Sequence, residues 1–399
     1  MHQHRVLPDA MHYEKVYCII LNIIGVLVTT LNKCDPLIRT RLRFLVTGRP
    51  EQPLVKFFTE LHIPFFDMST VNPDDRKKDI CIFLEDELRK LASSTPYELK
   101  EKDIQLLAQI SGGVFVAARI AVNFVVFGKS PNSQLQKLRN SGHVSGLDVV
   151  YRLVLDSITQ ELSVWDIVRP VIGTIVLAFT PLSRPALSDL LHIEAERLTD
   201  LLDALRAIIH VREGDEIFPI HASLRDFITD PDRCNDTCVF VYPPFVHNVV
   251  SSACFTCMST LLKKPDLRNI GRDGKKLLSD NLSYSCQYWA RHLVNSNLDQ
   301  SLVEQLHNFA FTRLLYWIER LSLLEDLDLG ISGLGILIKV LVVGLHLHGF
   351  ADNVYGRSSA PTEYWMRLSH CYLMRIGSWS ISEICFLYQR CTPILLHYS

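Results

Sequence analysis

Between Asn72 and Leu329 apolar residues return at helical spacing in one segment after another, and no other feature constrains the chain as strongly. Ile80, Phe83, Leu84, Leu88 and Leu91 form one stripe, opened by the turn Asn72-Pro73-Asp74-Asp75. Ile104, Leu107 and Ile110 form a second, which stops at Ser111-Gly112-Gly113, and a third helix runs from Val114 to Val126. The apolar segment from Trp165 to Ala178 is broken by Pro181-Leu182-Ser183, and Ser183 can cap a helix beginning near Pro185. Leu198, Leu201, Leu202 and Leu205 share one face of the next helix. From Val246 onward the pattern is helical throughout, with segments at Val246 to Lys263, Leu282 to Val294 and Leu302 to Leu324.

Strand signals are few. Leu42 to Thr47 is a short apolar run closed by Gly48-Arg49-Pro50-Glu51, and Ile63 to Met68 suggests a second strand. Ile208 to Val211 and Glu216 to His221 flank Glu213-Gly214-Asp215, a hairpin signal. Two strands followed by helices suit the trailing edge of an α/β nucleotide-binding domain, and three helices closed by a hairpin have the layout of a winged helix. No repeat with a period of tens of residues is present, which argues against a solenoid or propeller.

Composition narrows the class further. With 48% hydrophobic and 21% charged residues in 399, the chain suits folded domains rather than disorder. Lys and Arg number 41 against 43 Asp and Glu, so there is no electrostatic footprint for nucleic acid. Eleven cysteines lack framework spacing, which fits reduced thiols in a cytoplasmic setting. Two apolar stretches, Val16 to Thr30 and Gly330 to Gly349, fall short of a spanning helix of about 20 uninterrupted apolar residues, the second because of Lys339. Both are expected to be core segments, with a membrane-attached fragment as the alternative.

Several short motifs occur in a fixed order. Leu42 to Glu51 (LRFLVTGRPE) is similar to a sensor strand written T-S-R-P-E, and Asp79-Ile80 with Phe83-Leu84 to a helix written "DI..FL". Ser111 to Ala118, then Leu147-Asp148 with Tyr151 and Val154-Leu155, then Pro181-Leu182-Ser183 continue the series. Ile220 to Ile228 (IHASLRDFI) with Asp232-Arg233-Cys234, Tyr284 to Leu293 (YSCQYWARHL) and Thr312 to Glu319 complete it. Together, over roughly residues 36–330, they resemble the NACHT subgroup of STAND signalling ATPases found in fungi, the NACHT/WD-repeat proteins of basidiomycetes. The resemblance implies a fold that is mainly α with a small α/β remnant: a truncated P-loop NTPase sheet edge, a winged helix and a helical domain. The expected divisions are a divergent apolar segment at 1–35, the end of the NACHT nucleotide-binding domain at 36–130, a helical linker at 131–163, a winged helix at 164–233, a helical domain at 234–330 and a divergent tail at 331–399.

Hydrolysis of ATP needs backbone amides and a lysine around the phosphates and a carboxylate for magnesium. The sequence contains no G-x-x-x-x-G-K-[ST] loop, and the acidic strand that would hold magnesium is absent as well. Gly128-Lys129-Ser130 imitates the loop's end, but position 123 is Asn and Pro131 follows. Ile80 to Asp86 imitates an acidic strand but keeps a helical register. The resemblance makes Thr47 and Arg49 vestiges of the phosphate sensor, Arg49 being the arginine that would read a γ-phosphate. It makes His221 the winged-helix histidine that contacts an ADP phosphate in the family. Ser223 and Asp226 are expected to cap or brace the following helix. Cys234, Cys238, Cys254 and Cys257 approach a structural zinc spacing, yet the last two lie in a continuous apolar helix, so no metal is expected. Trp289 and Trp317 sit on apolar helix faces as core residues.

The expectation is a truncated NACHT/STAND signalling protein that acts as a non-catalytic regulatory or protein-interaction module. It carries no cofactor of its own, and ATP or ADP would enter only with an upstream nucleotide-binding loop. Its partner would be another protein, a full-length NACHT relative or a second copy, not nucleic acid. A nucleotide-responsive ATP/ADP switch is the second reading.

Overall fold

The computed structural model describes residues 23–26, 29–30, 33, 47–48, 52–67, 70–140, 145–161, 165–234, 239–262, 279–324 and 326–335. Over these residues the protein is mainly α-helical with a small three-stranded sheet. The chain divides into two compact units. The first comprises 1–163, 202–209 and 220–235, and the second 164–201, 210–219 and 236–399. The strand expected at Leu42 to Thr47, the apolar stretch Val16 to Thr30, most of Gly330 to Gly349 and the whole tail from 351 lie largely or wholly outside the described residues.

The first unit is built from α1 (Gln52–Glu60), α2 (Pro73–Ser94), α3 (Glu101–Ser111), α4 (Phe115–Val126), α5 (Pro131–Asn140), α6 (Leu147–Glu161) and the short α10 (Ser223–Ile228). Helix α2 begins where Pro73 presets the first helical φ and the Asn72 side chain accepts the Asp74 N–H at 2.9 Å. Its stripe Ile80, Leu84, Leu88 and Leu91 is buried, each residue contributing roughly 1.5–3 kcal/mol by removal from water. The residues that imitate an acidic strand, Ile80 to Asp86, are thus part of this helix. Helix α3 ends at Gly112, whose φ of 59° is left-handed; a side chain there would also meet the Gly146 backbone N at 3.3 Å. That close approach lets the Gly146 N–H donate to the Ile110 carbonyl at 2.8 Å and starts α6 beside α3. Gly128-Lys129-Ser130 is the link between two helices, α4 and α5, with no strand before it.

The second expected strand, at Ile63 to Met68, is not one: residues 63–67 are irregular and Phe65 and Phe66 are exposed. The physical reason lies just upstream. His62 takes a left-handed φ of 53° and the Ile63 N–H returns to the Phe58 carbonyl at 2.9 Å, which closes the C-terminus of α1. Pro64 then has no N–H to give to a sheet partner.

The second unit contains α7 (Trp165–Leu177), β1 (Leu182–Ser183), α8 (Arg184–Leu191), most of α9 (Ala195–Ala204), most of β2 (Ile209–Val211) with its hairpin partner β3 (Glu216–Pro219), then α11 (Pro243–Leu261), α12 (Asp280–Asn295), α13 (Gln300–Thr312) and α14 (Leu314–Leu324). The strand order is β1-β3-β2, with Leu182 opposite Ile217 and Ser183 opposite Glu216 in antiparallel register. Gly214 and Asp215, both at positive φ, make the tight turn. Ser183 caps α8 by accepting the Ala186 N–H at 3.3 Å, as its position after Leu182 suggests.

The core of this unit is aromatic. Trp289 on α12 packs against Phe255, Phe309 and Trp317 with ring centroids 5.3, 4.9 and 5.7 Å away. The Trp317 indole N–H donates to the Cys286 carbonyl at 2.7 Å. The single helix expected over Leu302 to Leu324 is two. It breaks at Arg313, where φ reaches −124°, and the second segment is re-aimed so that both Phe309 and Trp317 reach Trp289.

Candidate functional site

Two of the ordered motifs meet in the first unit. Asp148 and Tyr151 lie one turn apart on α6, while His221 and Ser223 stand at the start of α10 and Arg233 follows its end. The Tyr151 hydroxyl is buried and 2.9 Å from Ser223 Oγ, and Ser223 Oγ is 2.7 Å from His221 Nδ1. The Tyr151 ring stacks on Phe227 at 5.4 Å. The Arg233 guanidinium forks onto Asp148, with Nε 2.9 Å from Oδ2 and a second nitrogen 2.5 Å from Oδ1.

The hydrogen bonds fix the direction of this chain. The Ser223 backbone N–H points at His221 Nδ1 at 3.1 Å, and a backbone N–H can only donate. Nδ1 is therefore an acceptor, which leaves the proton of the neutral ring on Nε2. His221 is exposed, so Nε2–H is presented outward as a donor from an anchored ring. Tyr151 is held protonated because burial pushes its phenol up, and the phenol O–H supplies Ser223. Ser223 thus braces the histidine; it does not cap α10, whose N-cap residue Ala222 offers no side-chain bond. The bonded Asp148 carboxylate pushes the Arg233 pKa upward.

Of the sensor residues, Thr47 is exposed and outside any helix or strand, and Arg49 lies outside the described residues. The described residues thus place His221 in a defined hydrogen-bond frame but do not join it to Thr47. Sequence reading named His221 and Ser223 but gave no role to Tyr151, Asp148 or Arg233. Their only signal was membership of motifs in the right order.

A second polar cluster, in the second unit, was not anticipated. His247 and His292 are buried and bonded through their Nδ1 atoms at 2.8 Å, and the Tyr284 hydroxyl lies 2.8 Å from His292 Nε2. Nearby, Cys254 is fully buried and Cys257 half-buried on one face of α11. Burial pushes the Cys254 thiol up to about 12 and the Cys257 thiol upward as well. Among the described residues no group of three His, Cys, Asp or Glu could hold a metal ion, and Cys238 lies outside them. No described helix is long and apolar enough to cross a membrane.

No family model matches the chain, and no solved structure matches it. Among curated proteins it is similar to the vegetative incompatibility protein HET-E-1 of Podospora anserina, at 24% identity over 223 aligned residues. The alignment takes in 47% of this chain and 16% of that protein, so the chain spans only a small part of its relative's length. The similarity is a distant one, and it agrees with a loose NACHT-type relationship.

Proposed function

We propose that this chain is a NACHT-type signalling protein that works as a non-catalytic regulatory and protein-interaction module. The observation that carries the reading is the joining of the motif pairs Asp148/Tyr151 and His221/Arg233 into one hydrogen-bonded frame. Motifs that fold onto each other in the family's order are hard to produce by chance similarity. The distant likeness to a vegetative incompatibility protein supports the same direction. The helix, short strand, two helices and hairpin of residues 165–219 support the winged-helix assignment.

The interaction part of the reading rests on surface. The first unit exposes Phe65, Phe66, Ile82, Val114 and Phe115, large apolar side chains of a kind enriched where proteins meet. The partner is a protein, either a NACHT relative or a second copy, in the cytoplasm. No phosphate loop accompanies the frame in this sequence, so no catalysis is assigned to it. Size-exclusion chromatography with light scattering tests the proposal. Self-association, or complex formation with a NACHT relative, that weakens in Phe66→Asp and Ile82→Lys is expected. A monomer that captures no NACHT relative counts against it.

The outward Nε2–H of His221 favours a second reading, a nucleotide-responsive switch in which this donor meets a phosphate oxygen. A ligand at about a hundred times its Kd stabilises by about 2.7 kcal/mol, so a thermal shift with ADP that His221→Ala abolishes would favour the switch.

A further inference from the structure

A serine or threonine stands directly before a proline at Thr95, Ser130, Thr180 and Thr392, the last of them outside the described residues. That dipeptide is what proline-directed protein kinases select, and the three described sites differ in what surrounds the hydroxyl. Thr95 is half-buried and donates to the Leu91 carbonyl at 2.8 Å, which closes α2. Ser130 is exposed, but Arg206, which lies over the ring of nearby Phe127 at 5.7 Å, already pairs with Asp203 at 3.4 Å. Thr180 has both an open hydroxyl and an arginine without an acidic partner beside it.

Thr180 lies in the link between α7 and β1, and it and Pro181 are exposed. The residue before it fixes the link. The Phe179 N–H donates to the Tyr284 hydroxyl at 3.4 Å, and the Phe179 ring meets His292 edge-on at 4.7 Å and stacks beside Tyr288 at 5.8 Å. With Phe179 turned into the unit, Thr180 is turned out, and its hydroxyl has no hydrogen-bond partner among the described residues. Arg291 of α12 covers the same ring, its guanidinium 5.6 Å from the Phe179 centroid and 5.9 Å from that of Tyr288. Among the described residues no carboxylate pairs with it. A guanidinium held over a ring keeps its in-plane N–H groups for an anion, and a phosphate is the anion its fork fits best. Asp280, the acid at the far end of the link, is occupied by the Ser183 hydroxyl at 2.8 Å.

We propose that Thr180 is a phosphorylation site for a proline-directed protein kinase, and that Arg291 receives the phosphate and ties the link to α12. The Thr180 hydroxyl oxygen forms a bond to the γ-phosphorus of the kinase's ATP, the bond from that phosphorus to the β–γ bridging oxygen breaks, and ADP leaves. The hydroxyl proton passes to the kinase's catalytic carboxylate. An exposed neutral hydroxyl thereby becomes a group of nearly two negative charges beside an unpaired cation. The new pair is partly screened by water, so opening of the link should become about fivefold rarer.

The purified full chain, incubated with magnesium, ATP and either a cyclin-dependent or a mitogen-activated kinase, provides the test by peptide mass spectrometry. Phosphate should appear at Thr180, vanish in Thr180→Val and drop sharply in Pro181→Ala, which keeps the acceptor. No phosphate at Thr180 from either kinase, or full labelling in Pro181→Ala, would overturn the site. Hydrogen exchange reads the second half: the Phe179 amide should exchange about fivefold more slowly in the phosphorylated chain, and that slowing should be lost in phosphorylated Arg291→Gln. Unchanged exchange, or equal slowing in the variant, would refute the role of Arg291. If the variant does not fold, the phosphorus resonance of the phosphorylated parent chain decides. A titration midpoint below the ordinary value of about 6 supports capture by the guanidinium, and a midpoint at that value refutes it.

Discussion

Ser223→Ala should destabilise the first unit more than Tyr151→Phe, although tyrosine is by far the larger side chain. Tyr151→Phe removes one hydrogen bond between buried hydroxyls and keeps the stacking on Phe227. Ser223 still has His221 as a partner, so nothing is stranded and the cost is about 0.5–1.5 kcal/mol. Ser223→Ala instead leaves the Tyr151 O–H buried without its acceptor, a penalty of about 1–3 kcal/mol, and also loses the bond to His221. The double variant strands no group, so its cost should fall short of the sum of the singles by about 1 kcal/mol. Urea unfolding at constant slope measures all three. If Tyr151→Phe costs more than Ser223→Ala, or the two costs add, the directed chain through Ser223 is wrong.

Other expectations follow from single observations. Asp148→Ala should cost about 1 kcal/mol in urea unfolding, since the bidentate partner Arg233 is only about one-third exposed yet screened by water. Gly112→Ala should cost about 1 kcal/mol or more by the same assay, because its left-handed φ and the nearby Gly146 backbone both reject a side chain. Trp317→Ala should cost about 3–5 kcal/mol by thermal unfolding, from the cavity beside Trp289 and the lost indole bond to the Cys286 carbonyl.

The helices were legible because burial repeats along the chain. Ile80, Leu84, Leu88 and Leu91 declare their face by spacing alone, and Asn72-Pro73 and Gly112 declare ends by local chemistry that needs no partner. Strands declare less. Leu182-Ser183 is too short to alternate and reads as a breaker, yet it pairs with Ile217 and Glu216 across the sheet. Ile63 to Asp67 is apolar enough for a strand but follows a helix cap and finds no ladder. The candidate site shows the same divide. His221 and Ser223 are two residues apart and could be read as neighbours, whereas Tyr151 joins them from 72 residues away and Asp148 meets Arg233 across 85. The His247–His292 bond, across 45 residues, left no trace in periodicity because a buried histidine occupies a helix face as any apolar residue would.

The central claim is that the frame around His221 works without turning over a nucleotide. Magnesium-dependent ATP hydrolysis by the purified chain is the most direct measurement of it. The account predicts a rate indistinguishable from buffer and unchanged by His221→Ala. Steady turnover that needs magnesium and disappears in that variant would contradict it.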